Sequence, residues 1–364
     1  MRWLLALALS IVLLDASGSE VGDACVADLD ALPGFIFAND AGGRDLAAQR
    51  GKALDEALER GRIEARGAFD DDACVAALRG YLRAWRKGHL AISVLQPAGD
   101  GGAVPRPTMS DSRAPRFRIL SPQTALLTLP TFNDRYARLI ARLVAAHRRE
   151  IAARANLIID VRANNGGSDS SYAPVVPLVA ANATRTMNAE FLVTPDNVAA
   201  SEAVCKLPDV AGDACTRFMA PVLEAMKAAP TGTYVLPARA ARVEVEMPRR
   251  VLAKPRRVAV LIDGRCGSSC EEFVLLVRQS FKVKTFGRPT AGSLDYSNLR
   301  PYELPSGKRR LFYATSRSLR LPANPIDGVG IAPDQLLPTP ENDAAFDAEV
   351  ESVRGVLEGR DPFR

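Results

Sequence analysis

Two short segments of this chain carry residues that could do covalent chemistry. Val258 to Phe273 reads VAVLIDGRCGSSCEEF: a β-branched apolar run, a glycine-containing turn, two serines, then a helix pattern opened by Glu271 and Glu272. A strand, a tight turn, a serine and a helix present a hydroxyl beside the free N–H groups and partial positive charge of a helix N-terminus. That setting can hold a developing oxyanion. The plainer reading of Ser268 or Ser269 is a helix N-cap, a position serine favours. The second segment, Asn156 to Ser171, reads NLIIDVRANNGGSDSS. Its buried-strand run Leu157–Ile159 ends at Asp160 and enters the turn Asn164-Asn165-Gly166-Gly167, whose residues tolerate positive φ. Adjacent glycines leave their backbone amides open to a carbonyl oxygen. A simple β-to-α turn would carry the same residues.

In combination the two segments resemble the tail-specific, or C-terminal processing, serine peptidases, which include the tricorn core. The resemblance implies that Ser268, three residues before Glu271, is the nucleophile. Ser269 with Glu272 fits the spacing too, but Ser268 puts Phe273 at the family's aromatic position. It further implies an oxyanion hole from the amides of Gly166, Gly167 and Ser269. The segments Phe286-Gly287-Arg288-Pro289-Thr290-Ala291-Gly292 and Asp327-Gly328-Val329-Gly330-Ile331-Ala332-Pro333-Asp334 are similar to the family's two downstream motifs, so the likeness runs over residues 75–340. The classical members use a lysine base after the threonine-x-glycine, where this chain has Ser293. A serine hydroxyl is no base near neutral pH, so the resemblance is to the tricorn-like branch, with a histidine from upstream and an acidic residue near the end. The chain has two histidines. His89, in Trp85-Arg86-Lys87-Gly88-His89-Leu90, resembles the family's Gly-His segment, with Lys87 where aspartate is usual. His147 falls on an apolar helical stripe with Tyr136, Ile140, Leu143 and Ile151. The expected triad is therefore Ser268, His89 and Asp327, the aspartate orienting the imidazole. For His89 and Asp327 a plain turn is the alternative.

These residues need a scaffold. The resemblance implies an α/β, crotonase-like layered β-sheet core with an N-terminal helical domain and a β-rich C-terminal closing segment. Residues 1–18 read as a signal peptide: Arg2, the apolar stretch Trp3–Leu14, and Ala16-Ser17-Gly18 as the cleavage site. Twelve apolar residues are too few to span a bilayer, which takes about 20. Residues 19–95 form the helical domain carrying His89, with its clearest helices near Asp45–Arg60 and Asp71–Arg86. Residues 96–116, rich in Pro, Gly, Asp and Ser, form a linker. Residues 117–340 form the peptidase core, with an insertion at 188–248 that could cap the cleft. Residues 341–364 form a C-terminal helix or tail. The span from His89 to Asp160 leaves no room for a PDZ domain.

Six cysteines in an exported chain point to disulfides, and local spacing pairs Cys25 with Cys74, Cys205 with Cys215, and Cys266 with Cys270. No Cys/His cluster has zinc spacing, and neither metal nor cofactor is expected. A net charge of +5 without basic-aromatic interleaving does not point to nucleic acid. Arg309, Arg310, Arg317 and Arg320 read as a solvated basic face, or as a site where one guanidinium binds a substrate carboxylate. The expectation is a periplasmic or secreted serine peptidase, without a stable membrane anchor, acting on peptides or unfolded protein ends. A non-catalytic binding protein on the same fold, for an apolar ligand or peptide, is the alternative from another class.

Overall fold

The computed structural model describes residues 17–95, 108–206 and 212–359. The expected signal peptide, up to residue 16, and most of the expected linker, 96–107, lie outside the described residues. Three helices come first: α1 (Ser17–Asn39), α2 (Gly43–Arg66) and α3 (Asp71–Trp85). Asp70 caps α3 by accepting from the Ala73 amide. The strand β1 (Ala91–Val94) follows at once.

Next come β2 (Arg116–Ile119), β3 (Thr124–Thr128), α4 (Asp134–Ala153), β4 (Asn156–Asp160), and the short helices α5 (Asp169–Tyr172) and α6 (Val176–Val179). After them run β5 (Thr184–Met187), β6 (Ala189–Leu192), α7 (Pro195–Ala203), α8 (Asp213–Ala228), β7 (Tyr234–Val235) and β8 (Val243–Glu246). The chain ends with β9 (Arg257–Ile262), α9 (Ser269–Val277), β10 (Val283–Gly287), β11 (Tyr296–Glu303), β12 (Arg309–Ser318), β13 (Gln335–Leu336) and α10 (Asp343–Leu357).

The continuous apolar runs become the centre of a six-stranded sheet, ordered β13-β10-β9-β4-β3-β2 and parallel except at β2. Buried parallel strands are apolar on both faces because both faces are covered. Here Leu157, Ile159, Val258, Val260 and Ile262 pack under α4 and α9. The intervening Ile158, Ala259 and Leu261 pack under α10 through Val350, Val353 and Val356. The period-two alternation thus assigns each residue of β4 and β9 to one helix layer.

A second sheet, β1-β12-β6-β7 with β11 beside β12, forms the wall opposite. The helices α1–α3 share one core with it, through Leu304, Leu311 and Tyr313. Phe35 stacks on Tyr302 with ring centroids 3.6 Å apart. The Cys25–Cys74 disulfide ties α1 to α3 inside this core.

Two expectations change here. Part of the insertion 188–248 is built into the wall: β6 pairs antiparallel with β12, and α7 and α8 close over it with Val193, Met219, Val222 and Met226, while β8 pairs with β5 in a separate two-stranded sheet. The Cys205–Cys215 disulfide joins the 3-10 turn after α7 to α8. The basic run is not a solvated face either. Arg309 is fully buried and ion-paired to Asp28 at 3.0 Å and to Asp71. Arg317 pairs with Glu190 and Asp45, and Arg320 with Glu272. These guanidiniums hold the wall to its neighbours, because a charge leaves water only when it is paired.

Candidate active site

The turn after β9 is fixed from several sides. Asp263 accepts from the Arg265 amide and from the Ala163 amide of the neighbouring turn, both at 3.0 Å. The Gly267 amide donates to the Asn164 carbonyl at 3.2 Å. The Cys266–Cys270 disulfide brackets the turn. Between these cysteines Ser268 stands at φ 56°, ψ −126°, a backbone conformation that side chains other than glycine seldom adopt. It is partly exposed, while Ser269 is buried and donates its hydroxyl to the Gly167 carbonyl at 3.2 Å. The two serines are thereby distinguished: Ser268 lines an open pocket and Ser269 ties α9 to the glycine turn.

Behind Ser268 the glycine turn leaves no space. A Cβ on Gly166, at φ +93°, would lie 2.6 Å from the Gly267 carbonyl and 2.8 Å from the Ser268 Cβ. The Gly166 amide donates to Asn164 Oδ1 at 2.9 Å, so it is committed within its own turn and is not an open oxyanion donor. The amides of Gly167 and Ser269 have no acceptor among the described residues. Ser269 is the first residue of α9, where backbone donors lack helical partners.

His89 arrives from the other core. At the end of α3, Arg86 forms a bidentate pair with Asp40 at 2.5 and 2.6 Å and donates to the carbonyls of Gly88 and His89. This clamp holds the short turn into β1, with His89 in the left-handed region at φ 57°. Its Nδ1 meets the main-chain carbonyl of Tyr296, at the start of β11. Burial, and then the charge of Arg86, lower the imidazole pKa from 6.5 to about 4.

Asp327 is not on the imidazole. Its Oδ1 accepts from the Leu294 amide at 2.6 Å and the Asp295 amide at 2.7 Å, while its Oδ2 is buried without a hydrogen-bond partner. Asp295 answers by accepting from the Ile326 and Asp327 amides at 2.6 and 2.8 Å. The two aspartates cross-brace the loop that presents Tyr296. Burial raises the Asp327 carboxyl to about 6.

Ser268 and His89 line one pocket of about 300 Å³, with Lys87, Asn165, Arg265 and Ser293. Lys87 and Arg265 are exposed at its mouth. None of the described residues lining it comes from 188–248. His147 lies elsewhere, stacked on Phe117 and hydrogen-bonded to Glu150. Among the described residues, no group of three or more His, Cys, Asp or Glu side chains is placed to hold a metal ion.

The sequence profile described as peptidase family S41 matches residues 123–337, more than half of the chain. The chain belongs to peptidase family S41. It is thus a serine peptidase, with peptides or proteins as its substrates. The fold agrees with this membership. Mature CPAF complexed with lactacystin superposes with a TM-score of 0.63 at 13% identity, over 94% of this chain and 100% of that one. Mature CPAF alone gives 0.62 at 12% identity, over 93% and 97%. None of the curated protein sequences matches the chain. Three parts of this candidate site carried no recognised signal in the sequence: the Tyr296 carbonyl, the Asp40–Arg86 clamp, and the partner aspartate Asp295. Asp295 lies two residues after Ser293, within a segment whose only distinctive feature was the missing lysine.

Proposed function

We propose that this S41 peptidase is exported and cleaves peptides and unfolded protein ends, with Ser268 as nucleophile and His89 as general base, on a crotonase-like layered core. The observation that carries the reading is the meeting of Ser268 and His89 in one pocket, with Nδ1 of His89 turned to a carbonyl oxygen. A carbonyl only accepts, so Nδ1 carries the proton and Nε2 is left as the lone-pair nitrogen. Ser268 Oγ attacks the scissile carbonyl and forms the tetrahedral intermediate as its proton passes to Nε2. The amides of Gly167 and Ser269 receive the oxyanion. The imidazolium then returns that proton to the leaving amine, and water repeats the sequence on the acyl-enzyme.

Asp327 serves this mechanism as a positioning residue, holding the loop whose Tyr296 carbonyl orients the ring. Export accords with the signal-like first eighteen residues and with three disulfides, which persist in oxidising compartments. The test is turnover of unstructured fluorogenic peptides by purified wild type, Ser268→Ala and His89→Ala. Activity lost in both variants supports the assignment. A wild type that binds peptides or apolar ligands without cleaving them would favour the binding-protein alternative.

A further inference from the structure

We infer that Glu271 is a positioning residue that sets the distance between nucleophile and base, by tying the Ser268 turn to the loop against which the His89 turn is packed. The inference rests on the assignment of Ser268 and His89 given above. Glu271 is fully buried and has no cationic partner among the described residues. A bare carboxylate in that position needs donors, and four reach it. One carboxylate oxygen accepts from the Thr290 hydroxyl at 2.6 Å and the Gly292 amide at 2.8 Å. The other accepts from the Ser293 amide at 2.9 Å and the Ser268 amide at 3.2 Å. The Ser268 amide also donates to the Ser293 carbonyl at 2.9 Å. Burial raises the Glu271 carboxyl pKa, and the four donors act against that rise.

An N-terminal cap needs only the donor from Ser268. The other three come from residues 290–293, about twenty positions downstream, so this carboxylate joins two segments rather than closing one helix. The same loop is the floor under the base. A Cβ on Gly88 would fall 2.6 Å from the Ser293 Cβ and closer still to its hydroxyl. Gly88 therefore sits directly on Ser293, and His89 is the next residue. Thr290 carries the connection onward by accepting from the Ile331 amide at 2.7 Å, in the segment that bears Asp327. Nucleophile and base approach from two different cores, and Glu271, Ser293 and Gly88 form the chain of contact between them. A misplacement of about 1 Å at such a site costs on the order of 10²-fold in rate.

Glu271→Gln keeps the shape but turns an N–H pair toward amide donors. It is expected to lower kcat about 10²-fold while KM moves by less than about threefold, the split that marks loss of transition-state alignment rather than of binding. Gly88→Ala pushes on the same contact from the other side and should lower kcat in the same manner. Adding Ser293→Gly should restore at least about tenfold of it. Rates are measured per active site, with wild type titrated by a fluorophosphonate. If wild type takes no label, the nucleophile assignment fails first. If wild type labels and turns over, three results overturn the inference: Glu271→Gln with unchanged kcat and a lower Tm, Gly88→Ala with unchanged kcat, or no rescue by Ser293→Gly. Should Glu271→Gln fail to fold, the Gly88 and Ser293 pair decides alone.

Discussion

His89 Nδ1 is held by the main-chain carbonyl of Tyr296, not by the carboxylate of Asp327. A neutral acceptor fixes the tautomer of the ring without adding a negative charge beside it. The imidazole consequently has little to offset burial and the charge of Arg86, and its pKa lies near 4 instead of 6.5.

This sets the pH dependence of activity. In the proposed mechanism His89 must be neutral to accept the Ser268 proton, so activity is expected above the folded pKa and lost as pH falls through it. The acid limb of kcat/KM on an uncharged peptide is expected near pH 4, with activity still close to its plateau at pH 6. An imidazole stabilised by a neighbouring carboxylate would place the limb at or above 6.5. A measured limb there would show that Asp327 swings onto His89 in the working enzyme.

Asp327→Asn provides a second separation. Where an aspartate sets the tautomer, its loss is very costly. Here Tyr296 keeps that role, and the carboxamide oxygen of the substituted side chain can still accept an amide. The variant is expected to lose roughly ten- to a hundredfold in kcat, against at least about 10³-fold for His89→Ala. Equal losses in the two variants would return Asp327 to direct contact with the ring.

The disulfides should divide by loop length. Cys25–Cys74 closes a sequence separation of 49 residues, and replacing both cysteines is expected to cost about 4 kcal/mol of stability in the chain-entropy view. Cys266–Cys270 spans only 4 residues and constrains the unfolded chain little. Its loss is expected to lower kcat, because it brackets Ser268, with a smaller change in the urea midpoint. Urea titration and steady-state kinetics on both double-alanine variants measure this.

The mouth of the pocket favours negative charge. Lys87 has no ion-pair partner among the described residues, while Arg265 is paired with Asp263 yet remains 63% exposed. Peptides with an acidic residue next to the scissile bond are expected to show kcat/KM roughly threefold above neutral ones, with the advantage falling at high salt. Lys87→Glu should reverse the preference. Equal rates for acidic and neutral peptides in wild type would remove any selective role from this rim.

Much of the site was legible in the sequence because it sits where regular structure ends. The apolar runs 157–159 and 258–262 read as buried strands, and the structure pairs them as neighbours in one sheet, so the glycine and serine turns after them come together at its end. With only two histidines in the chain and His147 on a helical stripe, His89 stands out as the candidate base, and it lines the same pocket as Ser268. The Tyr296 carbonyl was invisible because every residue has a carbonyl, and which one reaches the imidazole is decided by β11 pairing with β12. The carboxylate of Asp327 accepts from the Leu294 and Asp295 amides, a partnership that residue type cannot show, because backbone amides compete for a carboxylate without leaving any trace in the sequence. The pairing of the insertion with the wall is hidden for a similar reason. Its strand β6 has four residues, too few to show a period, and only pairing with β12 makes it part of the wall.

The proposed mechanism makes Ser268, and not Ser269, the nucleophile, and the site of covalent modification by an activity probe decides between them. Wild type is incubated with a fluorophosphonate, digested, and the adduct located by fragmentation mass spectrometry. A phosphonyl group is expected on Ser268, lost in Ser268→Ala and in His89→Ala but retained in part by Ser269→Ala, whose hydroxyl donates to the Gly167 carbonyl. An adduct on Ser269, or labelling that survives Ser268→Ala, would contradict it.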